Sequence, residues 1–157
     1  MCIFHVTSKT DSFKEFLAAH PQLPVYQAHD KGEKPKIAAE ESIYTDYGFS
    51  CEVSERSWDD VEGQIIDMIS FLEVYSTYFT SLKESHQIHD WRFDLPYECE
   101  LEESQFTQCN YLPPKLMRLA GALDLGVELA LYWPSSEEED DFDIEDYDVS
   151  ADSNTDA

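Results

Sequence analysis

Apolar and polar residues trade places along this chain with two different periods, and the switch between periods marks its elements. In "CIFHVTS", Phe4 and Val6 alternate with Ile3, His5 and Thr7, and the β-branched and aromatic content predicts a strand. "TDSFKEFLAAH" opens on the capping residues Thr10 and Asp11, sets Phe13, Phe16 and Leu17 at helical spacing and stops before Pro21, so it predicts a short helix. "LPVYQAH" reads as a short extended piece, and "DKGEKPK" after it is a turn built on Gly32 and Pro35. "SIYTDYGFSCEVSE" alternates most clearly. Ile43, Thr45, Tyr47, Phe49, Cys51 and Val53 fall on one face of a strand, and Gly48 marks a bulge or a close backbone approach.

The longest pattern is "SWDDVEGQIIDMISFLEVYSTYFTSLK". Val61, Ile65, Met68, Leu72, Tyr75, Phe79 and Leu82 follow spacings of four and three, which predicts an amphipathic helix. Ser57 with Asp60 approximates a capping box at its start, and Lys83 suits the negative end of its dipole. A second set, Ile66, Phe71, Val74 and Tyr78, broadens the apolar surface, so the helix offers a seam for homodimerisation beside its ordinary role of lying across a sheet.

"IHDWRFDLPYECEL" alternates His89, Trp91, Phe93 and Leu95 with polar neighbours, a strand expected to end at Pro96. "NYLPPKLMRLAGALDLG" carries Pro113 and Pro114 at a helix start, a stripe of Leu116, Leu119, Ala120 and Leu123, and Gly126 as its stop. "VELALYW" closes with Val127, Leu129, Leu131 and Trp133 on one side of a strand. The element order predicts an α+β fold, a mainly antiparallel sheet with helices packed on one face, of the ferredoxin-like sandwich type. One globular domain is expected over residues 1–134, followed by a disordered acidic tail over 135–157.

Charge changes the picture more than composition does. The chain has 157 residues, 34 acids and 10 bases, a formal net charge of -24. Residues 135–157 hold 11 acids and no base, which leaves 23 acids against 10 bases, or -13, on residues 1–134. Such a field repels nucleic acid and anionic lipid and steers basic proteins inward. No run approaches the roughly 20 apolar residues of a membrane helix, and the expected location is cytoplasmic. Cys2, Cys51, Cys99 and Cys109 are scattered with no C-x-x-C pair, so reduced, mostly buried thiols are expected.

Candidate chemistry is sparse. His86, His89 and Asp90 in "HQIHD" have donor types suited to a metal, but the spacing defines no third ligand, and neither a metal nor a cofactor is assigned. Asp46, Asp90 and Asp94 sit on predicted strands where two carboxylates can meet as an acid/base pair. Ser50 lacks a nucleophile elbow of the G-x-S-x-G kind. Lys31, Lys34 and Lys36 concentrate three bases on one Gly/Pro loop, a place for an anion or for the chain's own acidic tail. In the tail, Glu137, Glu138, Glu139, Asp140, Asp141, Phe142, Asp143 and Tyr147 combine carboxylates with spaced apolar anchors, which suits a basic, partly apolar groove on a partner.

In size, charge and element order, residues 1–134 resemble the small bacterial immunity proteins that neutralise a cognate toxin. That resemblance implies a non-enzymatic inhibitor that occludes the basic groove of a partner such as a nuclease toxin, and it transfers no site residue. Two alternatives stand beside it: a DNA mimic, and a small enzyme with a carboxylate-lined pocket around Asp46, Tyr47, His89 or Asp90.

Overall fold

The computed structural model describes residues 1–35, 42–101 and 107–133. Its first strand, β1 (Cys2–Ser8), buries every second residue, Cys2, Phe4, Val6 and Ser8, as the alternation requires. The following elements are α1 (Lys14–Ala19), β2 (Val25–His29), β3 (Tyr47–Ser54), α2 (Val61–Ser85), β4 (Asp90–Glu98), α3 (Pro114–Leu123) and β5 (Gly126–Tyr132). The fold is α+β. Five strands form one mixed sheet in the order β2-β3-β1-β4-β5, with β5 parallel to β4 and the other three pairings antiparallel.

β1 lies between β3 and β4, so its register sets the others. Phe4 stands opposite Cys51 and Phe93, and Val6 opposite Phe49 and Trp91. This apolar row meets the stripe of α2, where Ile65, Met68, Leu72, Phe79 and Leu82 are buried as their spacing predicts. The Phe4 ring lies 4.8 Å from Phe79, 5.3 Å from Phe93 and 5.6 Å from Phe71, all tilted, the arrangement aromatic quadrupoles favour. Leu116, Ala120 and Leu123 of α3 complete the core. Of the second set on α2, Phe71 joins the core, while Ile66 and Val74 are exposed at 59% and 64%.

Several local expectations are corrected. Ile43 and Thr45 precede β3 instead of belonging to it, and Ile43 is exposed, because the chain there turns back to pair with the β2 turn: Gly32 N donates to Tyr44 O and Tyr44 N to Glu33 O. The N-cap of α2 is Asp60, not Ser57, since its carboxylate accepts from Gly63 N at 2.9 Å. Pro96 does not end β4. Pairing with β1 stops at Asp94, so the missing N–H of Pro96 costs no ladder bond, and β4 continues against Ala130 of β5. Asp124, in the left-handed conformation at φ 55°, and not Gly126, stops α3.

Gly48 is a close approach. The His29 ring lies over it, and a Cβ there would sit 2.4 Å from the ring and 3.2 Å from Val6 O. His29 is held in that position by a stack on Tyr44, at 3.7 Å, and by Asp46 at 3.2 Å. Gly48→Ala is expected to cost about 1–3 kcal/mol in urea unfolding. In a double-mutant cycle His29→Ala should recover part of that loss, a coupling of at least about 0.5 kcal/mol; strictly additive costs would show that the crowding is with the Val6 carbonyl alone.

Candidate functional site

One face of the sheet carries helices, and the other carries polar side chains. Along this open face the register brings together Thr7, Gly48 and Asp90, then His5, Ser50 and Arg92, then Ile3, Glu52 and Asp94, with Glu128 of β5 beyond Asp94. His5 Nδ1 and Ser50 Oγ are 2.9 Å apart. Arg92 donates to both Asp90 and Glu128, which lifts the guanidinium further above its ordinary range. Burial, with the Arg92 charge adding to it, holds His5 below the ordinary histidine range. Oδ1 of Asp94 is buried and has no hydrogen-bond partner among the described residues.

The acid/base pair imagined from sequence is not assembled. Asp90 and Asp94 lie on the same strand, Asp90 held by Arg92, while Asp46 lies beyond β1 with His29 as its partner. Ser50 does meet a histidine, His5. Only the register of β1 against β3 reveals that meeting, because the two residues are 45 positions apart.

His86 and His89, with Asp90, line a cleft of about 490 Å³ completed by Lys83, Ile88, Trp91, Asp124 and Gly126. His86 stacks on Phe13 at 5.5 Å and takes Ser85 Oγ at 2.8 Å, so its ring is used in packing, whereas His89 is exposed. Lys83 and Asp124, both in its lining, pair with each other. Cys2 and Cys51 are buried, and desolvation pushes each thiol up to about 12, which leaves them no thiolate at neutral pH. Lys31 and Lys34 are exposed on the loop pinned by Gly32, and Lys36 lies outside the described residues. So do all the tail positions, Glu137, Glu138, Glu139, Asp140, Asp141, Phe142, Asp143 and Tyr147.

Sequence reading missed the end of the sheet where β1 begins and β3, β4 and β5 finish. Trp58, from the loop into α2, stacks on Tyr132 at 4.4 Å, and its carbonyl accepts from Glu98 N. Trp133 is 74% exposed beside them. Carboxylates crowd the same end: hydrogen bonding to Glu55 raises Glu52 above the ordinary carboxylate range, with slight burial and the like charge adding to it. Beneath the Trp58 loop, Gln64 is buried and donates to the Ser57 and Pro96 carbonyls, at 3.1 Å each. Only the strand order brings Trp58 and Tyr132, 74 positions apart, together.

The chain matches no model of a known protein family, no curated protein and no solved structure.

The direction of the His5 shift sets a pH signature. A histidine whose folded pKa lies below its unfolded value of about 6.5 binds its proton more readily in the unfolded chain, so stability present above that value is lost as pH falls through the folded pKa. Between about pH 7.5 and about pH 5 the parent chain is therefore expected to lose more stability than His5→Gln, measured by urea midpoints at each pH. Parallel loss in both chains would remove His5 from the account.

Proposed function

We propose that this protein is a non-enzymatic acidic binding module, an immunity-type inhibitor that covers a basic partner such as a nuclease toxin. One observation carries the reading: five of its ten bases are held by its own acids. Lys14 pairs with Asp30, Lys83 with Asp124 and Lys115 with Glu73, while Arg56 holds Asp60 and Asp67, and Arg92 holds Asp90 and Glu128. Exposed pairs like these contribute little stability each. The net charge is the larger electrostatic fact, since even with all ten bases counted against it the chain keeps a surplus of 13 carboxylates in residues 1–134 and 11 more in residues 135–157. A field of one sign accelerates capture of an oppositely charged partner and repels nucleic acid.

In architecture we infer a ferredoxin-like sandwich extended at one edge. The order β2-β3-β1-β4, with antiparallel neighbours and the chain sequence strand, helix, strand, strand, helix, strand, supports that description, and α3 with β5 is the addition.

A basic nuclease probe should bind the full-length protein at low salt and lose roughly an order of magnitude in affinity on moving to physiological ionic strength. Replacing Glu137, Glu138, Glu139, Asp140 and Asp141 by their amides should slow association more than it speeds dissociation, as read by stopped-flow fluorescence. Affinity indifferent to salt would refute the electrostatic reading.

The His5–Ser50 contact favours a second reading, a serine hydrolase on the open face. The same contact is complete as a cross-strand hydrogen bond, and Arg92 beside it is already held by two carboxylates. A fluorophosphonate reagent is therefore expected to leave Ser50 unmodified, with mass spectrometry as the readout; rapid, stoichiometric labelling lost in His5→Gln would install the hydrolase instead.

A further inference from the structure

We propose that the outer edge of β5 is a strand-docking site for an extended segment of a basic protein in which apolar and basic residues alternate. The inference rests on the acidic-module reading above and assigns it a surface on the folded domain.

Among the described residues β5 is bonded on one side only, to β4, so the outward N–H and C=O groups of Gly126–Tyr132 form an open ladder. Sheet edges are ordinarily blunted by lysine, proline or inward-pointing charge. β5 has none of these: its sequence is GVELALY, and Glu128 is its single charge. Leu129 and Leu131 are each 45% exposed, and the strand leads into the Trp58–Tyr132 stack and the open Trp133.

The register says what an added strand would meet. Val127, Leu129 and Leu131 lie opposite Phe93, Leu95 and Tyr97, on the helix side of the sheet, and Glu128, Ala130 and Tyr132 lie opposite Asp94, Pro96 and Glu98 on the open side. A guest strand therefore meets leucines on one face and, on the other, the Glu128 carboxylate, of which one oxygen is taken by Arg92, followed by an aromatic ring. Apolar side chains suit the first row. Lysine or arginine suits the second, through charge pairing and cation–π contact. Successive guest residues point to opposite faces, so the matching sequence alternates apolar and basic.

Charge selects this occupant over two others. A second copy of the chain would bring together two molecules of net charge -24, with no base on either β5. The chain's own segment after Trp133 carries 11 acids and no base over 135–157, and would set like charges against Glu128 and Glu98. A basic guest meets neither penalty.

The test uses the full-length protein and a short fluorescent peptide of alternating valine and lysine, with an isomer N-methylated on alternate amides so that composition and charge are kept while edge pairing is lost. The parent peptide should bind by anisotropy, the N-methylated one about tenfold more weakly, and Leu131→Lys and Trp133→Ser should each lose about tenfold in affinity. Trp133→Ser alters a largely exposed side chain, so it keeps the test valid should Leu131→Lys unfold; circular dichroism and urea melts check both. Amide exchange over 126–132 should slow on peptide binding. Equal binding of both peptides to the parent protein and both variants would overturn the β5 site and leave the acidic-module reading standing. No binding of the peptide or of a basic nuclease at low salt would defeat both. A parent dimer in sedimentation equilibrium that Leu131→Lys makes monomeric would assign the edge to a second copy and overturn the proposal.

Discussion

The fold hangs on the side chain of Phe4. It projects from the central strand of the five, and its ring meets Phe71 and Phe79 of α2 as well as Phe93 and Trp91 of β4. One residue thus joins the long helix to the sheet and joins neighbouring strands on the buried face. Because side chains alternate with a period of two, fixing Phe4 inward fixes His5 and Thr7 outward, and with them the polar row to which Ser50, Arg92 and Asp90 belong. The polar face follows from the core.

The elements were legible because their signals are local. The four-three stripe of α2 places Ile65, Met68, Leu72, Phe79 and Leu82 in the core as read, and the alternation of β4 does the same for Trp91, Phe93 and Leu95. The errors arose where a boundary depends on something distant. Pro96 ends a strand only if its N–H was needed, and that depends on where β1 stops. Ile43 is apolar and well placed by alternation, yet the backbone of Tyr44 is engaged by Gly32 and Glu33 instead. Ser57 and Asp60 both cap well in principle, and the geometry of the Trp58 loop decides between them.

The candidate site was less legible for the same reason. Net charge is a sum over the sequence and can be read directly, but the arrangement of that charge depends on which acids each base reaches. Arg56 holds Asp60 four positions on and Asp67 eleven positions on, and the second pairing exists only because α2 returns over the end of β3, where Ser54 also binds Asp67. The Trp58–Tyr132 stack is still less local, requiring the whole strand order. Trp58 and Tyr132 keep 38% and 43% of their surface exposed despite the stack.

The exposure along β5 has a geometric cause. A ten-residue helix such as α3 is about 15 Å long, while the seven residues of β5 extend about 23 Å. A helix that returns the chain antiparallel to the strand it precedes covers the strand's first part and falls short of its last. About 15 Å reaches only to about Ala130, so Val127 is packed against the core while Leu131 lies past the helix and is half exposed. Lengthening α3 would cover Leu131 at no cost in topology, so a chain under pressure only to fold would be expected to bury this leucine or replace it with charge. An apolar edge on a chain of net charge -24 fits the docking proposed for it: apolar contact would supply affinity, and the field would favour basic partners.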